Sequence, residues 1–528
     1  MRQFEAIHRV VLIMKTILTL LCLTGLYLSL PAQNFIRAYS EIPFSSPNPG
    51  LSIPFDAIQL PDGRYVFSAT PAIIAVTQPN GEPQSTFTLL KPGVTSPSLT
   101  NIQRLADAGN NQIYLAGVTD VDTLFIMKLN LSGTIVWQKS IVQTGHNLFQ
   151  LTATADGGLI ALSSISRGSS QNAIPILSKL DANGNLQWQK RYFNSGINTG
   201  RLLLRDVSQT ANGDYLITGA TFLSGQTARV FVARLNGSGV PVWAKEFSST
   251  NNSNEFGFRI QEITGGNLKL IVSSPAPAVP VGIANLSAQG NLSGAQAYTG
   301  INGDFTDAEI QPGGSIIAGV GNEGTGVKIA ADGTPVFAKD YTAVPGSFTL
   351  MSAAFEANDG GTAFYAGYTF SLFGDFTPIL YKTAALGTTP SGYSSDLTLN
   401  TVAYAPTAAT ATLIDSTVSN LSSFSATLVP AAAIFDTLFA VPTRLGGLRG
   451  REAALAAFPN PATDVVAVQG AGLTGEVVLH DAFGRIVART LAQDERATLE
   501  VGTLPAGVYY ARRAGDAGRR ATRVVIVR

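Results

Sequence analysis

The chain has 528 residues, a formal net charge of zero, only 13% charged residues and 45% hydrophobic ones. That length allows several domains or one large repeat array. The charge balance removes the electrostatic case for nucleic acid or anionic membrane, and the apolar content excludes a disordered chain.

From Met14, "MKTILTLLCLTGLYLSLPAQ" places Lys15 before an apolar run from Ile17 to Leu30, with small residues near Ala32. This is the order of a secretory signal peptide. We assign residues 1–33 to it, with Met14 as an alternative start. The single cysteine, Cys22, lies inside this segment behind Leu21, which does not suit lipidation. The mature chain would then hold no cysteine and depend on its core and sheet hydrogen bonds alone.

From residue 61 the sequence repeats. A glycine-centred turn leading into a short apolar strand reads "PDGRYVFSAT" at Pro61, "GNNQIYLAGVT" at Gly109, "DGGLIALSS" at Asp156 and "NGDYLITGAT" at Asn212. It returns as "GGNLKLIVSS" at Gly265, "GGSIIAGVG" at Gly313 and "DGGTAFYAGYT" at Asp359, seven copies spaced by 46 to 56 residues. A second element follows, clearest as "LNLSGTIVWQKSIV" at Leu129, "LDANGNLQWQKRYF" at Leu180 and "LNGSGVPVWAKEFS" at Leu235. Asn-Gly and Ser-Gly turns between alternating apolar residues mark hairpins. Four short strands in about fifty residues make one β-propeller blade. The expected fold of residues 34–393 is therefore an all-β, seven-bladed propeller, with Trp137, Trp188 and Trp243 locking neighbouring blades. The seventh unit lacks its last strand. "FIRAYSE", residues 35–41, has the matching pattern and is expected to supply it, closing the ring.

Residues 394–456 are rich in Ala, Thr and Ser and read either as extra strands or as a stalk and linker. The alternation in "VVAVQ", "EVVLHD", "ATLEV", "VYYARR" and "TRVVIVR" predicts a small antiparallel, immunoglobulin-like sandwich over 457–528.

Chemical motifs are sparse. His146 stands apart from any partner for a metal or triad. "DANGN" at Asp181 lacks the alternating acids of a calcium loop and reads as a hairpin turn. Asp120 with Asp122, or Asp304 with Asp307, would be the carboxylate pairs for glycoside hydrolysis, although solvated loop acids are the stronger reading. Phe193, Tyr298 and the "FSLFGDF" run with Phe370, Phe373 and Phe376 read as loop aromatics and candidate ligand contacts, although for the run an inter-strand loop tucked under the last blade is the stronger reading. "DTL" at Asp122 and Asp436 and "DST" at Asp415 are short glycosylation-like motifs. We expect no cofactor and no metal.

The C-terminal segment resembles the type A sorting domain of type IX secretion substrates of Bacteroidetes-type bacteria. The resemblance rests on Pro459, Asn460, Pro461 and Asp464, on "HDAFGRIV" with Asp481, Gly484 and Arg485, and on "LPAGVYY" with Leu504, Pro505, Gly507 and Tyr509. It implies passage through the periplasm and outer membrane, recognition by the type IX machinery, removal of the domain by a sortase-like protease, and, often, attachment to surface lipopolysaccharide, with anchored and released forms both open. The body resembles the repeats that often precede such tails, for which no common activity is implied. "LDANGNLQW" also resembles the tryptophan-docking repeats of quinoprotein propellers, without their vicinal cysteines. The function expected is a secreted or surface-displayed, non-enzymatic module that binds glycan or protein. The alternatives are a polysaccharide-acting or quinoprotein-like enzyme and a structural matrix scaffold.

Overall fold

The protein is described by a computed structural model over residues 34–39, 54–70, 72–90, 100–119, 123–141, 146–166, 173–194, 201–222, 227–248, 254–274, 281–301, 305–320, 324–341, 348–369, 376–389, 394–417, 421–423, 427–430, 436–440, 456–458, 462–469, 475–480, 486–493, 496–513 and 522–526. The signal-peptide assignment lies outside these residues. The chain divides into two compact units, Met1–Thr443 and Arg444–Arg528.

Among the described residues the first unit holds seven antiparallel sheets of five strands each. The sheets are numbered 1 to 7 in chain order by their first strands, Pro54–Gln59, Thr100–Gly109, His146–Ala153, Arg201–Gln209, Phe256–Glu262, Phe305–Ile310 and Phe348–Glu356. In sheets 1 to 6 the first four strands are consecutive in sequence. Sheet 3, for example, is built from His146–Ala153, Leu159–Ser166, Ala173–Leu180 and Leu186–Asn194. The first strands touch one another in cyclic order, and that of sheet 7, Phe348–Glu356, returns to that of sheet 1, Pro54–Gln59. The result is a ring, the β-propeller fold. Sheet 7 takes its fourth strand from the N-terminal side of the chain. Phe35–Ala38 pairs with Thr377–Thr383, Phe35 opposite Lys382.

The glycine turns explain why the strands stop where they do. Gly184 (φ 77°) and Gly239 (φ 73°) adopt a left-handed conformation that an L side chain resists. Before them, Asp181 and Asn236 fold their side-chain oxygens onto the backbone N–H groups two and four residues ahead. This is a local turn device that needs no bound ion. The Asp181 carboxyl lies below its ordinary range mainly because Asn185 donates to it.

Each fifth strand comes from residues 394–440, the segment in which extra strands and a stalk were both open readings. Ser394–Asp396 pairs with the outer strand of sheet 6, Asn400–Ala403 with sheet 5, and Thr407–Thr410 with sheet 4. Leu413–Thr417 covers sheet 3, Leu421–Ser423 sheet 2 and Thr427–Pro430 sheet 1. Asp436–Ala440 finally pairs with Phe35–Ala38. The segment is a belt that runs round the rim against the order of the sheets, so the propeller unit extends past residue 393.

In the second unit, Ala456–Phe458, Val465–Gln469 and Arg496–Glu500 form a three-stranded sheet. Ile486–Ala492, Gly475–His480, Gly507–Arg513 and Thr522–Ile526 form a four-stranded one. Val466, Val468 and Leu499 from the first sheet share a core with Val477, Leu479, Tyr509 and Val524 from the second.

Candidate functional site

The first strand of each of the seven propeller sheets carries a register shift early in its length, and that of sheet 2 carries a second one between Asp107 and Gly109. The early shifts fall between Pro54/Asp56, Ile102/Arg104, Leu148/Gln150, Leu204/Asp206, Gly257/Arg259, Phe305/Asp307 and Met351/Ala353. A bulge re-aims the side chain that follows it. Those residues are Asp56, Arg104, Gln150, Asp206, Arg259, Asp307 and Ala353, and six of the seven are polar.

Each of the six reaches the next sheet. Asp56 Oδ2 accepts from Leu105 N at 2.8 Å, and Arg104 Nε donates to Phe149 O at 2.9 Å. Gln150 Nε2 donates to Asp206 Oδ1 at 2.9 Å, while Asp206 Oδ2 accepts from Ile260 N at 2.8 Å. Arg259 donates to Ala308 O at 3.1 Å and to Asp307 Oδ1, and Asp307 Oδ2 accepts from Ala354 N at 3.1 Å. Ala353 breaks the series. Sheets 7 and 1 are joined instead by Tyr365 Oη donating to Ser68 O at 3.1 Å, and by Asn358 donating to Gln59 Oε1 and Leu60 O.

Burial sets the electrostatics of this ring. The Asp56 carboxyl is pushed up to about 7 by burial, with Arg104 pulling it down and Asp307 pushing it up. Glu309, two residues beyond Asp307, is also pushed up to about 7 by burial, against the hydrogen bond it accepts from Glu356 N. Burial alone would weaken the Arg259 cation. The carboxylates of Asp307 and Asp206 more than offset this and hold its proton affinity above the ordinary value.

The sequence candidates fall differently. Asp307 belongs to the ring, but its carboxylate meets Arg259 and sheet 7; Asp304, Asp120 and Asp122 lie outside the described residues. His146 opens the first strand of sheet 3. Tyr298 is no loop contact, since it is fully buried in the strand Leu292–Thr299 and donates to Gly333 O at 2.6 Å. Phe193 also stands in a strand, 40% exposed and opposite Ile414 of the belt. Phe376 precedes the strand Thr377–Thr383 and is partly buried, whereas Phe370 and Phe373 are not among the described residues. Of the short threonine and serine motifs, Asp415 pairs with Lys190 at 2.7 Å and Asp436 begins the last belt strand.

Trp137, Trp188 and Trp243 each cross to the following sheet. Their indole N–H groups donate to Ala182 O, Gly237 O and Ala288 O at 2.9, 3.1 and 3.2 Å. Their rings press on Gly184, Gly239 and Gly290 so closely that a Cβ there would stand 2.6–2.9 Å away. Phe35, Phe87, Gln296 and Phe337 occupy Gly81, Gly133, Gly333 and Gly387 in the same manner, completing an outer ring of seven contacts.

Asp56, Arg104, Gln150, Asp206 and Arg259 escaped the sequence reading. Their signal was available: each ring position lies seven residues before a residue of positive φ, from Asp56 before Gly63 and Arg104 before Asn111 to Ala353 before Gly360.

In the sorting segment, Asp464 O accepts from Val501 N and Gly502 N. Leu504 packs on the shared core, Gly507 opens a strand, and Tyr509 Oη donates to Pro505 O at 2.8 Å, closing the "LPAGVYY" turn. Pro459, Asn460, Pro461, Asp481, Gly484 and Arg485 lie outside the described residues.

The fold and the two rings define a β-propeller body followed by a small β domain. Residues 456–528 match the family described as the secretion system C-terminal sorting domain. The chain thus carries a type IX sorting domain, which implies export to the cell surface or beyond. No curated protein matches this chain. Similar solved structures include the WD40 β-propeller domain of Doa1, at 10% identity and TM-score 0.42, covering 65% of this chain and 96% of that one. Streptogramin B lyase is 14% identical with TM-score 0.44, covering 66% and 98%. A protein of unknown function from Bacteroides caccae is 14% identical with TM-score 0.34, covering 55% and 92%.

Proposed function

We propose that the exported propeller is a non-enzymatic binding or adhesion module for glycan or protein, recognised through its C-terminal domain by the type IX machinery and its sortase-like protease, and held at the surface through lipopolysaccharide or released. The observation that carries this reading is the use made of the central polar groups. Asp56, Arg104, Gln150, Asp206, Arg259 and Asp307 are all committed to hydrogen bonds between sheets. They fasten the scaffold, and recognition falls to the loops it presents.

A second reading rests on Asp56 alone. A buried carboxyl held near 7 beside an arginine and a second carboxylate is poised as a general acid or base. One assay separates the two. The exported protein is passed over immobilised polysaccharides and glycoproteins, scoring retention and released products together. Retention without product supports the binding module. Product that vanishes in Asp56→Asn overturns it in favour of an enzyme. Export has its own test: a chain lacking 456–528 should accumulate in the periplasm, and normal secretion of that chain would remove the type IX assignment.

A further inference from the structure

The belt and the closing strand Phe35–Ala38 differ from the other strands of the propeller unit in that their partners lie far away in the sequence. Sheets 1 to 6 each begin as four strands joined by local hairpins, so their outer edges exist before residues 394–440 arrive. The belt then meets them in reverse, from Ser394 opposite Tyr341 to Ala440 opposite Phe35. Each docked belt strand brings the next within a short loop of its own edge, which keeps the closure entropy of every step small. Four side chains anchor it to the sheets. Tyr404 is buried, donates to Glu255 Oε2 at 3.0 Å, and lies over Gly282, where a Cβ would stand 3.2 Å from its ring. Leu413 is buried in the core shared by sheets 3 and 4. Asp415 pairs with Lys190, and Asp396 with Lys339, the lysines of "WQK" and "FAK".

Without the belt, each sheet would present a row of unpaired N–H and C=O groups, a template for another copy of the chain. We infer that residues 394–440 are a strap that docks last, zips from sheet 6 round to the closing strand Phe35–Ala38, and shields the outer edges from pairing with a second copy. Such a strap ties completion of the body's fold to the stretch of chain immediately ahead of the sorting domain.

The test uses the full chain with a site-specific protease sequence inserted between Thr389 and Ser394, cut after folding. The fragment beginning at Ser394 should co-elute with the body. In rising denaturant it should leave at a lower midpoint than the loss of native tryptophan emission, and the freed body should then sediment as larger species. Tyr404→Ala in the cut protein should lower the release midpoint and leave the tryptophan midpoint unchanged. Loss of the fragment on cutting alone would overturn the inference. So would release coincident with the tryptophan transition, a freed body that stays monomeric, or a Tyr404→Ala shift of both midpoints alike.

Discussion

The repeated units of residues 54–383 and the belt of residues 394–440 supply strands to the same seven sheets, yet they are specified in opposite ways. A repeated unit carries its own instructions: a turn with positive φ, alternating residues and a neighbour a few positions away. The belt carries almost none. Thr407–Thr410, "TAAT", is exposed at every position and takes its strand geometry from the edge of Pro241–Ser248. A completed edge can order a chain of weak propensity, because backbone hydrogen bonds do not depend on side chains.

The largest expected effect falls on the repeats. Gly219 faces the bulge of sheet 4, and a Cβ there would stand against Leu203 O, a backbone atom that cannot swing aside. Gly219→Val should cost more than about 3 kcal/mol, enough to abolish secretion of folded protein or to drop the thermal midpoint by many degrees. A variant that melts like the native chain would show that the bulge does not press on this strand.

Next come the contacts between sheets and between belt and body. Trp188→Ala removes a ring that packs with sheet 4 and an N–H bonded to Gly237 O, and should cost about 3 kcal/mol. Tyr404→Ala should cost about 2–3 kcal/mol, since it empties a buried site and removes the hydrogen bond to Glu255 Oε2. If both urea midpoints fall to the same extent, the belt, while still joined to the body by the uncut chain, unfolds together with it. A much smaller loss for Tyr404→Ala would mark the belt as a covering only.

The centre of the ring should respond to pH. Asp56, at about 7, binds its proton more tightly in the folded chain than in the unfolded one, where an ordinary aspartate titrates near 4. Its contribution to stability is thus full below pH 4 and is lost as pH rises through 7, by about 2–4 kcal/mol. Glu309 acts with the same sign. The thermal midpoint at pH 5.5 should exceed that at pH 8, and Asp56→Asn should flatten the difference. Equal midpoints in the native chain would mean that Arg104 keeps Asp56 ionised throughout.

How much of this was legible follows the same division. The hairpins, the seven units and the closing role of Phe35–Ala38 are written in local patterns, because Gly184 and its equivalents must adopt positive φ wherever the fold goes. The central ring was half legible. Asp56, Asp206 and Asp307 stand at one offset from their turns, but an offset has meaning only once a bulge aims each at the neighbouring sheet. Asp304 beside Asp307 drew attention as a pair because it is near in sequence, whereas the partners that matter come from sheets 5 and 7. Tyr298 looked like a loop aromatic because its strand, "LSGAQAYT", has lost the tryptophan that marks the others. The belt's route was not legible at all, since every pairing it makes spans other sheets.

The smallest effect sharpens the comparison most, because it joins a repeat motif to the belt. In "WQK", Trp188 turns toward sheet 4 while Lys190 meets Asp415 of the belt at 2.7 Å, with both side chains largely covered. Asp415→Asn keeps the shape and removes the charge, and should cost about 0.5–1 kcal/mol, the range of an ion pair near the surface. Lys190→Met should cost a similar amount, and the double variant little more than either alone, a coupling that a double-mutant cycle reads directly. Additive losses would show that each residue acts on its own strand, and that the lysine of the repeated motif has no part in holding the belt.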